Sequence, residues 1–208
     1  MAHCWLSDYL TGRKQRVKIN ENFSEYQRIT CGVPQGSILG PLLFLIYIND
    51  MHKAVKYSTL YHFADDTNLL YSNKSQKILR KHANLDLKLI FEWLCANRLS
   101  LNIDKTEFIV FRSSRKSLKE RITLKLNGKT LYESRKVCYL GVIMDDKLTW
   151  KFHILELKKK LSQIIRIIYK LKKLGTPTFT LKSIYFALFQ SYLTYGLCVY
   201  GETSAENL

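Results

Sequence analysis

Apolar residues recur along this chain at helical spacing in some stretches and at strand spacing in others, and the alternation sets out a mixed architecture. In residues 75–97, Ile78, Leu85, Leu89, Ile90, Trp93 and Leu94 recur at helical intervals. Residues 150–174 place Leu157, Leu161, Ile164, Ile165, Ile168 and Leu171 on one face of a long helix, with Lys158, Lys159, Lys160, Lys170, Lys172 and Lys173 largely elsewhere. Gly175-Thr176-Pro177 breaks it, and a second amphipathic helix is expected over 178–195. Residues 38–48 are continuously apolar, but fall far short of the roughly 20 residues that span a bilayer. They read as a buried helix that Ser37 caps and that runs to about Val55, with Pro41 in its first turn or so. Residues 4–11 resemble the end of a helix, with Trp5, Leu6, Tyr9 and Leu10 on its apolar face and Gly12 as its stop.

Strand-like pieces fill the gaps. Residues 16–19 and 26–30 flank a polar turn at 20–24. Residues 60–64 and 67–71 flank Asp65-Asp66. Residues 106–111 and 138–144 each read as a single strand, and 122–126 and 130–132 flank Asn127-Gly128, a pair that tolerates positive φ and favours a tight hairpin. The fold class expected is therefore α+β, with a change of character near Asp146 that divides the chain into 1–146 and 147–208.

Hydrophobic residues make up 47% of the 208, enough for a core, so disorder is excluded on composition. The formal net charge is +16, from 33 Lys+Arg against 17 Asp+Glu, which favours a polyanionic partner. Charge alone fits RNA, DNA, an anionic membrane surface or a ribosomal role. Cys4, Cys31, Cys95, Cys138 and Cys198 are odd in number and never form C-x-x-C, so neither a zinc site nor a disulfide framework is expected. No signal peptide or membrane-spanning run is read. The location expected is intracellular, cytoplasm or nucleus, not secreted.

Asp65-Asp66 is the chemically pointed feature. Strands deplete Asp, and two adjacent carboxylates repel. A solvated turn is one explanation. The other is a site for a hard divalent cation such as Mg²⁺, which takes oxygen ligands and can clamp the oxygens of a phosphoryl transfer. Asp145-Asp146 repeats the pair between a strand and a helix, where capping the helix is the simpler role.

Context favours the metal. Phe63-Ala64-Asp65-Asp66 resembles the F/Y-x-D-D box, motif C, of reverse transcriptases. Gly32-Val33-Pro34-Gln35-Gly36-Ser37-Ile38-Leu39-Gly40-Pro41-Leu42-Leu43-Phe44 is similar to motif B of non-LTR retrotransposons, and Asn49-Asp50 ends that helix as the family's does. Asn97-Arg98-Leu99-Ser100-Leu101-Asn102-Ile103-Asp104-Lys105-Thr106-Glu107 resembles motif D, and Tyr139-Leu140-Gly141-Val142 resembles motif E, the primer grip. Trp5 through Arg13-Lys14-Gln15 is similar to the helix before motif B. Order and spacing agree over roughly residues 5–152, with a jockey-like flavour.

The resemblance implies a polymerase palm, an antiparallel sheet with helices packed on one face, over 1–146, and a partial helical thumb over 147–208. It implies RNA-directed DNA polymerisation: two-metal nucleotidyl transfer to a primer 3′-hydroxyl, with two Mg²⁺ ions, an RNA template, a DNA primer and deoxynucleoside triphosphates, and no membrane partner. Asp65 would be the principal metal ligand and Asp66 the supporting one. Gln35, Gly36 and Ser37 would meet the templating or incoming nucleotide, Gly36 because only a residue without Cβ permits so close an approach. Lys105 would be the general acid for departing pyrophosphate, or else a solvated lysine before a strand. Tyr139, Leu140 and Gly141 would hold the primer terminus. Motif A, which carries a further aspartate and the steric gate, is expected upstream of Trp5, and neither it nor the fingers is in this sequence. The chain is accordingly expected to be impaired or inactive by itself. A non-catalytic nucleic-acid-binding remnant that relies on the basic helix is the alternative, and a basic structural protein with an accidental D-D turn is a third.

Overall fold

The computed structural model describes residues 2–113 and 122–201. The chain is α+β. It forms two compact units, residues 1–99 and 100–208.

The first unit opens with helix α1 (Ala2–Leu10), on which Trp5 and Tyr9 stack at 5.8 Å between ring centroids. A hairpin follows in two paired stretches: β1 (Lys14–Gln15) with β4 (Gln27–Arg28), and β2 (Lys18–Ile19) with β3 (Asn22–Phe23). The turn is tighter than the sequence suggested, closing at Asn20-Glu21, where Asn20 accepts a positive φ of 54°. Helix α2 (Leu39–Ile48) is shorter than the helix expected to reach about Val55. The Asn49 N–H bonds Ile46 O, and the remainder becomes a single 3₁₀ turn, Met51–Lys53. Strands β5 (Thr59–Phe63) and β6 (Asp66–Leu70) form the acidic hairpin, and α3 (Gln76–Ala96) closes the unit. The core is thin: Ile48 and Met51, and the α3 stripe of Ala83, Leu87, Ile90 and Leu94.

The second unit begins with a 3₁₀ turn, Ile103–Lys105. Strands β7 (Leu124–Leu126) and β8 (Lys129–Leu131) meet at Asn127-Gly128, whose φ values of 46° and 76° are those that the dipeptide predicts. Strands β9 (Lys136–Tyr139) and β10 (Val142–Asp145) form a second hairpin. Then come the long helix α4 (Lys151–Lys173) and a shorter helical run: α5 (Thr178–Ile184), a π-helical stretch Tyr185–Gln190, and α6 (Ser191–Thr194). Helix α7 (Leu197–Tyr200) follows. The core joins Ile122, Leu124, Leu126, Leu131 and Val142 with Ile154, Ile164 and Tyr200. Residues 202–208, the end of the expected thumb, lie outside the described residues.

Two expected strands are corrected. Residues 138–144 are no single strand: the chain reverses at Leu140-Gly141, both at positive φ (46° and 78°), and so becomes a hairpin. Residues 106–111 form no strand. Phe108 makes one isolated bridge to Glu133, and the neighbouring Arg112 N–H turns instead to Asp146 O, so the segment divides its pairing between two places. Among the described residues the strands pair antiparallel in five two-stranded sheets, each closed locally. Asp146, where the composition changes, lies inside the second unit, where Asp145 and His153 tie the loop and α4 to β10.

Candidate active site

The acidic hairpin is held from one end and free at the other. Its lead-in, Lys56–Ser58, donates three successive backbone N–H groups to the Asp86 carboxylate, at 3.0, 3.0 and 2.8 Å. Asp86 is fully buried within the apolar stripe of α3. One helical turn earlier, His82 stacks on the Tyr57 ring at 3.8 Å. The base of the hairpin also buries polar groups: desolvation pushes the Tyr71 phenol well above its ordinary value, and desolvation, aided by His52, lowers the pKa of His62. His62 Nδ1 lies 3.1 Å from the Thr67 hydroxyl across the strands.

At the far end, Phe63 pairs with Asp66, so Ala64 and Asp65 alone make the turn. Ala64 stands at φ 52°, a conformation glycine accepts freely and alanine does not. Backbone strain of this kind concentrates at functional sites. Asp65 and Asp66 are both exposed, and neither carboxylate has a hydrogen bond or ion pair among the described residues. Cross-strand partners share a face, which places Asp66 beside Phe63, Tyr61 and Leu70, all exposed. A free pair of carboxylates on a rigidly rooted hairpin suits a hard cation, which needs oxygen donors and keeps several waters. Among the described residues no third His, Cys, Asp or Glu joins them to complete a metal cluster.

The residues expected to meet a nucleotide lie in the same unit. Gln35 and Gly36 are exposed, with Gly36 at φ 78° and open space where a Cβ would stand. The Ser37 hydroxyl donates to Pro34 O (2.7 Å) and accepts from the Gly40 N–H (3.1 Å), so it caps the start of α2 as its residue type suggests. Gly40 is buried there because a Cβ would come within 2.9 Å of Ser37 Oγ. Arg13 fixes the other end of this loop: its guanidinium donates to Cys31 O and to Gly32 O (2.5 Å). No hydrogen bond or ion pair joins Gln35–Ser37 to Asp65 or Asp66 among the described residues.

Lys105 and Tyr139–Gly141 belong to the second unit. Lys105 is exposed and ends the 3₁₀ turn that Asn102 caps through its own side chain (3.3 Å to the Lys105 N–H). Leu140 and Gly141 form a hairpin turn pinned by Tyr195, whose hydroxyl donates to Leu140 O at 2.6 Å. The Asp145 carboxylate accepts from the N–H groups of Lys147, Thr149 and Trp150 and from the Thr149 hydroxyl. Burial opposes its ionisation, but these donors outweigh burial and lower its pKa. Asp146 pairs with Arg112 at 3.1 Å. This second acidic pair is thus consumed by structure, as its position before α4 implies. Asp86, Arg13 and Tyr195 were not foreseen. The sequence signal for Asp86 was a lone carboxylate in phase with a buried stripe.

The family model described as reverse transcriptase (RNA-dependent DNA polymerase) matches residues 1–144. The chain belongs to the reverse transcriptase family. It is 28% identical over 216 residues to the RNA-directed DNA polymerase from mobile element jockey of Drosophila melanogaster, covering 98% of this chain and 23% of that protein. The jockey polymerase of Drosophila funebris is likewise 28% identical, over 98% of this chain and 23% of its own length. The retrovirus-related Pol polyprotein from type-1 retrotransposable element R1 of Bradysia coprophila is 24% identical, over 96% of this chain and 20% of its own. The chain thus spans about a fifth of the length of the curated relatives it matches. No solved structure is a significant match. Among the described residues no helix is long and apolar enough to cross a membrane.

Proposed function

We propose that this reverse transcriptase segment carries part of the site for RNA-directed DNA polymerisation, with Asp65 and Asp66 as its metal-binding carboxylates. The observation that carries the reading is the exposed, unpaired carboxylate pair at the strained tip of a firmly rooted hairpin. Asp65 and Asp66 would hold Mg²⁺, which when bound neutralises charge on the phosphate oxygens in a two-metal transfer to a primer 3′-hydroxyl. Gln35, Gly36 and Ser37 would meet the nucleotide, for which Gly36 leaves its backbone uncovered. Lys105 would donate a proton to pyrophosphate, and the Tyr139–Gly141 turn would hold the primer end. In this reading residues 1–146 belong to a palm and 147–208 to a thumb, with RNA template, DNA primer and deoxynucleoside triphosphates as partners inside the cell.

These 208 residues supply one acidic pair, and a two-metal site needs a bridging carboxylate besides. The polypeptide by itself should therefore extend a primed RNA template with Mg²⁺ feebly or not at all. Robust extension that Asp65→Ala abolishes would overturn the inactivity and support the site; robust extension indifferent to Asp65→Ala would overturn the site. The exposed lysines of α4, two of them lying over Tyr192 and Tyr169, favour a second reading as a non-catalytic nucleic-acid-binding segment. In that case RNA affinity falls steeply with salt and Asp65→Ala leaves it unchanged.

A further inference from the structure

The hairpin of β1 to β4 presents two aromatic rings and four cations on one face. Gln15 pairs with Gln27, while Lys18 pairs with Phe23 and the Ser24 N–H donates to Val17 O. The register therefore slips by one between them, leaving Glu25 and Tyr26 together opposite Arg16. Such a bulge re-aims side chains. Here it brings Tyr26 to the face that Phe23 already occupies: the Arg16 guanidinium lies 3.9 Å from the Phe23 centroid and 4.8 Å from that of Tyr26. The Lys18 ammonium stands 5.1 Å from Phe23. Lys14 and Arg28, directly opposite each other, complete the set. All six side chains are exposed, with Phe23 at 49% and Tyr26 at 60%. Among the described residues none of the four cations has an ion pair, although Glu21 and Glu25 are in the same hairpin.

This is a poor design for a ribbon standing in water. Like charges directly across a ladder destabilise it, and a two-stranded hairpin with exposed rings has little of its own to hold it. Both defects are relieved by one kind of ligand: an anionic chain whose phosphates bridge Lys14 and Arg28 and whose flat bases lie on Phe23 and Tyr26. We propose that this face is a docking site for single-stranded nucleic acid, separate from Asp65-Asp66 and independent of metal. It rests on the reading that the segment works on nucleic acid, and names a place where the strand is held away from the chemistry.

The test is binding of a fluorescein-labelled single-stranded oligouridylate to the 208-residue chain by fluorescence anisotropy, in EDTA across a salt series. Lys14→Gln with Arg28→Gln should weaken binding about tenfold at moderate salt and lower the log–log salt slope by about 1.4, near 0.7 for each phosphate released. Phe23→Leu should weaken binding severalfold and leave the slope unchanged, since stacking carries no counterions. Lys158→Gln with Lys159→Gln is the charge-matched control on α4. Equal losses from that pair, with no effect of Phe23→Leu, would mean diffuse charge attraction and overturn the proposal, as would an absence of binding at low salt. Asp65→Asn should be silent in EDTA, so failure here leaves the polymerase reading to the extension assay.

Discussion

Replacing Asp86 with alanine should cost about 3 kcal/mol of stability, an unusually large loss for one polar side chain. The carboxylate accepts N–H groups from Lys56, Tyr57 and Ser58 at 3.0, 3.0 and 2.8 Å, and it is wholly buried. Hydrogen bonds to a charged group contribute about 1.5–3 kcal/mol each, so even the low end for three reaches about 4–5 kcal/mol. Lys56 and Tyr57 are exposed, so water recovers part of what their N–H groups lose, and the cavity adds little because Asp is small. Asp86→Asn should fall between, since its amide turns a donor toward at least one of the three N–H groups. Urea denaturation followed by fluorescence, with Trp93 on the same helix as a reporter, measures the loss. Amide hydrogen exchange at Lys56, Tyr57 and Ser58 locates it, and protection there should collapse in the alanine variant while the second unit keeps its own. A cost below about 1 kcal/mol with unchanged exchange would refute the claim that Asp86 roots the acidic hairpin.

Two further outcomes follow from strain and burial. Ala64→Gly should leave stability unchanged or raise it by up to about 1 kcal/mol, because relief of a left-handed alanine offsets the entropy of glycine; a clear drop in the urea midpoint would count against strain in that turn. Desolvation, with Lys160, lowers the pKa of His153 below its ordinary 6.5. The unfolded chain then takes up the proton first, so the contribution is present above pH 6.5 and lost as pH falls through the lowered value. His153→Phe should flatten the fall in stability of the second unit between pH 7 and 5, and an unaltered slope would show that His153 is not its source.

Local rules carried the sequence reading far. Asn127-Gly128 specifies its turn through two residues that accept positive φ, and α3 and α4 follow from long apolar stripes. The reading failed where the cause lies elsewhere in the chain. Leu140 is an unnatural choice for a left-handed turn, and its carbonyl is held by Tyr195, 55 residues away; nothing near Leu140 announces that. Residues 106–111 have strand-like chemistry but find no continuous partner. At the candidate site, the D-D pair at a hairpin tip was legible because apolar strand patterns flank it. Asp86 was not, because its three partners lie 28–30 residues away. The strained φ at Ala64 was equally hidden, since alanine gives no sign of it.

The account rests on Asp65 and Asp66 as a divalent-metal perch, and paramagnetic Mn²⁺ titrated into the isotopically labelled chain tests it directly by NMR. The expected result is broadening that starts at residues 64–67 and disappears in Asp65→Asn with Asp66→Asn. Broadening that begins at Asp104 or Asp145-Asp146, or that persists at the tip in the double variant, would contradict it.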